Sequence, residues 1–217
     1  MKKYVNLFVF VFMVGACFSQ GKAQTKSAVS YKNPVVDIAM PDPTVIKAAD
    51  GYFYMYATES TRNVPIMKSK DLVQWTYCNT AFTNKTRPRF EPKAGIWAPD
   101  INYINNKYVL YYAMSVWGGE QTCGIGVATA DSPQGPFTDH GKMFRSNEIG
   151  VQNSIDPSFL QYEGRNYLVW GSFRGIYVIE LTEDGLSLKP GAEKKRIAGT
   201  AFEAAYIHKH GDYYYMF

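Results

Sequence analysis

An acidic residue returns four times along this chain, each time at the head of a similar phrase. The phrases are Asp42-Pro43-Thr44-Val45-Ile46, Asp100-Ile101-Asn102-Tyr103-Ile104, Asp156-Pro157-Ser158-Phe159-Leu160 and Glu203-Ala204-Ala205-Tyr206-Ile207. A short polar turn follows each, and then an aromatic run: Tyr52-Phe53-Tyr54-Met55-Tyr56, Tyr108-Val109-Leu110-Tyr111-Tyr112, Tyr167-Leu168-Val169-Trp170 and Tyr213-Tyr214-Tyr215-Met216-Phe217. The acids stand 58, 56 and 47 residues apart. Short strands that repeat at roughly 40–55 residues fit a β-propeller with one blade per repeat. Radial repetition brings equivalent positions of the blades around one axis. Four carboxylates at equivalent positions are therefore expected to converge on a central pocket, and hydrolysis of a glycosidic bond needs convergent carboxylates.

The turns are Ala49-Asp50-Gly51, Asn105-Asn106, Glu163-Gly164 and His210-Gly211-Asp212, which read as hairpins between β-rich runs. Third strands are expected at Pro65-Ile66-Met67-Lys68, at Gly124 to Thr129, and at Gly175 to Leu181 before the turn Asp184-Gly185-Leu186. Two repeats close in related phrases, Ser69 to Trp75 and Asp131 to Phe137, each placing an aromatic after a polar turn and each suiting the outer edge of a blade. No helix-period segment of useful length appears. Gly124-Ile125-Gly126 lacks the third glycine and the following helix of a phosphate loop, which excludes nucleotide binding. Residues 24–217 thus read as one all-β domain of about three and a half blades. The sequence reaches Phe217 inside a strand of the fourth repeat, and an unclosed ring leaves open edges. The expectation is a piece of a longer protein, with the 217 residues alone inactive or poorly folded.

Residues 1–23 read as a secretory signal: Lys2 and Lys3 precede an apolar stretch too short for a membrane span, and Gly21-Lys22-Ala23 supplies small residues at a cleavage site. Val14-Gly15-Ala16-Cys17 is also similar to a bacterial lipoprotein box, in which Cys17 would carry a lipid anchor. Either reading sends the protein out of a bacterial cytoplasm, to the medium, the periplasm or the cell surface. Without residues 1–23 the chain carries 20 basic and 19 acidic residues and no basic run. Nucleic acid is excluded as a partner on that ground, and a neutral substrate is favoured. The 16% aromatic share serves strand packing first and sugar stacking second. Cys78 and Cys123 are left as either one disulfide or two thiols, and no metal-ligand spacing is present.

In these phrases the chain resembles glycoside hydrolase family 43, and within it the endo-1,5-α-L-arabinanases. The resemblance rests on Asp42-Pro43-Thr44-Val45, Trp97-Ala98-Pro99-Asp100, Asn153 to Phe159, Trp170-Gly171-Ser172-Phe173 and Phe202 to Ile207, in that order. It implies a five-bladed propeller and hydrolysis with inversion. Asp42 would be the general base, Glu203 the general acid, and Asp156 the carboxylate that raises the acid's pKa. Asp100 is given no catalytic step and reads as a pocket-wall or structural acid. Similarity to arabinanases places substrate contacts at Trp97, Gly118, Asn153, Ser154, Ile155, Ser172, Phe173 and Arg174. The chain departs from that pattern at Arg174, where arabinanases often carry an aromatic, and at Ala204-Ala205, where they often have proline second. The implied substrate is the α-1,5-arabinan of pectin side chains in the plant cell wall. The alternatives are an exo-acting β-xylosidase or α-L-arabinofuranosidase of the same family, and a non-catalytic carbohydrate-binding propeller. No cofactor is required. Related arabinanases can hold a structural calcium near the axis, with a ligand expected beyond Phe217.

Overall fold

The computed structural model describes residues 30–217, so the signal segment expected over residues 1–23, Cys17 included, lies outside the described residues. Tight turns set the topology. Asn105 and Asn106 both take positive φ (46° and 62°), as do Glu163 and Gly164 (49° and 72°). Two successive positive-φ residues make the turn whose twist matches that of paired antiparallel strands. These turns join β5 (Gly95–Ile104) to β6 (Lys107–Ser115), and β9 (Ser158–Tyr162) to β10 (Arg165–Trp170). In the first repeat Asp50 Oδ1 accepts the Tyr52 amide at 3.0 Å and turns β1 (Thr44–Lys47) into β2 (Phe53–Tyr56). Gly211, with positive φ (58°), and Asp212 span the two-residue turn between β13 (Ile207–His210) and β14 (Tyr213–Met216). All four expected hairpins are present.

Each of the first three repeats adds two more antiparallel strands. They are β3 (Pro65–Ser69) and β4 (Trp75–Thr80), β7 (Gly124–Ala130) and β8 (Thr138–Arg145), and β11 (Ile176–Glu180) and β12 (Lys195–Ala198). Sheet neighbours follow sequence order throughout, giving three four-stranded blades and a two-stranded fourth. A four-residue helix, α1 (Ser146–Ile149), is the only α-helix among the described residues. None of their helices is long and apolar enough to cross a membrane.

The first three aromatic runs form the faces between blades. A strand sends alternate side chains to opposite faces. Along β6, Tyr108, Leu110, Tyr112 and Met114 join Tyr54, Tyr56, Ile66 and Phe82 of the first blade, whereas Val109 and Tyr111 join Leu168 and Trp170 of the third. Burying side chains of this size contributes roughly 1.5–3 kcal/mol each; Tyr54, Tyr56, Tyr108, Tyr111 and Tyr112 belong to the core, whereas Tyr213, Tyr214 and Tyr215 are exposed. Phe137 differs from its expected place at an outer edge. It is buried between the first two blades, edge-on to Tyr56 with ring centroids 6.0 Å apart. Gly126 lies in β7, and a Cβ there would sit 2.3 Å from the Tyr112 hydroxyl oxygen, so the glycine admits that ring. Cys78 and Cys123 are both free thiols, which settles the alternative left open by the sequence.

Strand register identifies the positions that repeat. Thr44 pairs with Tyr56, Asp100 with Tyr111 and Ser158 with Val169, while Tyr206 and Phe217 exchange backbone hydrogen bonds. Two residues before each of Thr44, Asp100, Ser158 and Tyr206 stand Asp42, Ala98, Asp156 and Ala204, all with positive φ (49°, 39°, 58° and 52°). This corrects the expectation of four equivalent acids. Only Asp42 and Asp156 share a position. Glu203 comes one residue before the repeating corner and Asp100 two residues after it. An offset of one reverses the face a side chain takes, and an offset of two carries it roughly 6–7 Å along the strand.

That offset makes Asp100 a structural tie. Its buried carboxylate accepts the Phe159 amide at 2.7 Å, Asn102 Nδ2 at 2.8 Å and Thr44 Oγ1 at 3.4 Å. One side chain therefore joins three blades at their inner strands. Burial pushes its pKa up to about 6, and the three donors pull the other way. Alanine at position 100 would leave these donors without their acceptor, at about 1–3 kcal/mol for each that stays dry. Asp100→Ala is expected to cost roughly 2–4 kcal/mol in urea unfolding of the full-length protein. A loss near zero would show that the tie carries no stability.

Candidate active site

The inner strands of all four repeats line an axial channel of about 680 Å³. A second cavity, about 570 Å³, opens at the end where those strands begin. Asp42, Ala98, Asp156 and Ala204 line both spaces, so the ring of positive-φ corners divides mouth from channel. Aspartate tolerates this backbone region better than most residues. Alanine does not, and strain of that kind persists only where surrounding structure imposes it. Proline follows three of the corners (Pro43, Pro99, Pro157) and directs the chain into an extended strand.

Three acids reach the mouth from three different repeats. Asp42 is held by Thr58, whose amide donates to the Pro41 carbonyl at 2.9 Å and whose Oγ1 lies 2.6 Å from Asp42 Oδ2. Glu203 sits opposite Ser172 in an isolated β-bridge, and Ser172 Oγ donates to Glu203 Oε2 at 3.1 Å. The Phe173 amide donates to the Phe202 carbonyl at 2.9 Å, so the end of the third blade positions the start of the fourth. Asp156 is the most enclosed of the three and accepts the Ala204 amide. Burial, and then the charges of Asp42 and Glu203, push its pKa up to about 7, while that amide lowers it. The resemblance gave Asp156 the part of a charged neighbour. In the structure its own ionisation is held back to neutrality, because it is both buried and flanked by two acids.

Trp97, Gly118, Asn153, Ile155, Ser172 and Phe173 line the same cavity as the acids. Ser154 and Arg174 do not. Ser154 is 0% exposed; its hydroxyl donates to the Val151 carbonyl at 2.8 Å and accepts Trp170 Nε1 at 3.1 Å. The chain turns here, with Asn153 at positive φ (57°) and the Ile155 amide donating to the Asn153 carbonyl at 3.0 Å, and the turn puts Ser154 behind the wall that Asn153 and Ile155 line. Ser154→Ala is expected to cost about 1–2 kcal/mol of stability through the unpaired indole N–H and to leave KM unchanged. A raised KM with unchanged unfolding would restore it to the substrate contacts. Arg174 turns to the rim, where Nη2 pairs with Glu120 Oε2 at 2.8 Å.

Six lining residues were not singled out from the sequence: Thr58, Ser115, Val116, Trp117, Gly119 and Glu120. Trp117 carried a usable signal, a lone tryptophan ahead of Gly118-Gly119 at the end of β6. It is 94% exposed, with its ring centroid 5.7 Å from that of Trp97. Two aromatic faces at a cavity mouth suit the apolar face of a sugar. Thr58 was legible only through the hairpin register, which sets it opposite Asp42.

Among the described residues no cluster of three or more His, Cys, Asp or Glu side chains is close enough to hold a metal ion.

The model for Glycosyl hydrolases family 43 matches residues 31–217. The chain is 35% identical over 189 residues to the extracellular endo-α-(1→5)-L-arabinanase 1 of Bacillus subtilis, covering 81% of this chain and 57% of that protein. Over 183 residues it is 31% identical to a probable arabinan endo-1,5-α-L-arabinosidase C of Aspergillus niger, covering 81% of this chain and 57% of that one. It spans little more than half the length of these curated relatives. A native arabinanase structure from Bacillus subtilis superposes with a TM-score of 0.72 at 31% identity, covering 83% of this chain and 65% of that chain. The fold of these neighbours is the five-bladed propeller, of which the described residues form three blades and half of a fourth. On the family match across its whole described length, the chain belongs to the glycosyl hydrolases of family 43.

Proposed function

We propose that the protein hydrolyses α-1,5-linked L-arabinan with inversion, using Asp42 as general base and Glu203 as general acid. The observation that carries this reading is the meeting of Asp42, Asp156 and Glu203, from three different repeats, in one cavity of about 570 Å³. Asp42 takes a proton from a water whose oxygen attacks the anomeric carbon. The glycosidic C–O bond breaks on the opposite face, and its oxygen leaves with the proton of Glu203. Inversion needs these two carboxyls roughly 6.5–9.5 Å apart, with the water between them. Asp156 supplies a charge that responds to pH near neutrality. Trp97 and Trp117 offer stacking faces, and Asn153 and Ser172 offer polar groups to sugar hydroxyls. The acids suffice for this chemistry without a cofactor. Arabinan as substrate is supported by the names of the arabinanase relatives. Export is supported by the extracellular relative and by the signal pattern over residues 1–23.

The test is incubation of the full-length protein with linear arabinan and resolution of its early products. A ladder of oligosaccharides is expected, as for an endo-acting enzyme. A single mono- or disaccharide would make it exo-acting. Release from aryl xylosides or arabinofuranosides with arabinan untouched would overturn the substrate.

A further inference from the structure

We propose that Thr58 is a positioning residue for Asp42: its hydroxyl is committed as a donor to the carboxylate, fixing its orientation and favouring its ionised, proton-accepting form. The proposal rests on the reading of Asp42 as the base.

The geometry of a single oxygen leads to it. Thr58 Oγ1 lies 2.6 Å from Asp42 Oδ2 and 2.6 Å from the Ala98 amide nitrogen. A backbone N–H can only donate, so Ala98 occupies a lone pair of the hydroxyl. Among the described residues Asp42 is the one acceptor within reach of the Thr58 proton. The proton therefore points at Asp42. Ala98 is the positive-φ corner of the second blade, so a corner of one blade orients the acid of another through a threonine between them. The β-branched side chain adds stiffness at χ1.

The charge environment gives this contact a purpose. Asp42 shares its cavity with Asp156 and Glu203, and Glu120 lies at the rim; none of the described lining residues is Lys, Arg or His. Glu120 is paired with Arg174, but Asp156 and Glu203 oppose an ionised Asp42 whenever they carry charge, and no cation lines the cavity to offset them. A neutral donor committed to the carboxylate offsets part of that opposition. The equivalent aspartate offers a geometric comparison. Extending the register that pairs Thr44 with Tyr56 sets Thr58 opposite Asp42, and extending the Ser158–Val169 register sets Gly171, which has no side chain to donate, opposite Asp156. Two aspartates at the same corner thus differ in the residue facing them.

The test compares Thr58→Val and Thr58→Ser in the full-length protein, with kcat/KM on linear arabinan measured against pH. Thr58→Val is expected to lower kcat/KM about 10–100-fold and to move the acid limb upward by about one pH unit. Thr58→Ser should restore the limb. If valine strains the contact between blades, Thr58→Ala reads the same limb. A lower rate with an unmoved limb would mean that Thr58 only joins two blades, and would overturn the proposal. So would an unchanged rate. A carbon-13 NMR titration of the Asp42 carboxyl in wild type and Thr58→Val reads the same effect without a substrate. If Asp42→Asn keeps its activity, the reading of Asp42 as base fails. If Asp42→Asn is inactive while Thr58→Val behaves as wild type, only the role of Thr58 fails.

Discussion

Asp42→Ala in the full-length protein is expected to remove arabinan hydrolysis, with the rate falling by about 10³-fold or more. A positioned general base contributes roughly 10²–10⁴-fold, and the other carboxyls of the cavity are committed elsewhere: Asp156 is held toward its protonated form, Glu203 is the proposed acid and Glu120 is paired with Arg174. The loss should extend to every substrate, because all of them need an activated water. Glu203→Ala separates the two roles. It should nearly abolish polysaccharide cleavage yet spare aryl glycosides, if the site admits them, since a good leaving group departs with little protonation. The comparison to make is the ratio of arabinan to aryl-glycoside rates in the two variants. Equal losses on both substrates in Glu203→Ala would sink its assignment as the acid. A folded Asp42→Ala variant that still cleaved arabinan would sink the mechanism.

Asp156→Asn is expected to change both stability and the pH profile. The pKa of this group is raised in the folded protein to about 7, from an ordinary value near 4. Between those two values the native state keeps a proton that the unfolded chain has released, so the native state binds more protons. Stability therefore falls as pH rises through that window, by about 1.4 kcal/mol for each pH unit, and the penalty is complete above pH 7. The amide never ionises. The variant should gain up to about 3–4 kcal/mol over wild type at pH 8 and nothing at pH 4, less whatever exposure of the carboxyl takes away. Activity should move the other way. Ionised Asp156 adds a negative charge beside Glu203 and favours its protonated form, so losing that charge should bring the alkaline limb of kcat/KM to lower pH. Thermal midpoints and kcat/KM against pH for the two proteins check both halves. Parallel stability curves would show that Asp156 is not held protonated, and an unmoved alkaline limb would show that it does not tune the acid. Such an exchange of stability for function is common at active sites.

The sequence by itself determined the blades. Hairpin turns are local, and Asn105-Asn106 or Glu163-Gly164 specify a two-residue reversal wherever they occur between β-rich runs. The alternation that sends Leu110 to one blade and Tyr111 to another is equally local, since a strand has a period of two. The acid phrases were legible for the same reason, and they marked the three acids that meet in one cavity. Their apparent equivalence was not reliable, because a one- or two-residue offset is small in a list of letters and decisive on a strand. Register places Asp100 among three donors away from the mouth, and only pairing with Tyr111 fixes that register. Ser154 is turned behind the wall by the bend at Asn153, where its hydroxyl meets Trp170 Nε1. The tertiary structure alone decided the partnership of Thr58, Asp42 and Ala98, whose members lie 16 and 40 residues from Thr58. It also decided that Asp156 is held toward its protonated form. That outcome depends on burial and on the approach of Asp42 and Glu203 to Asp156. Both are sums over atoms from three blades, and Coulomb energy depends on distance in space, which separation along the chain does not supply.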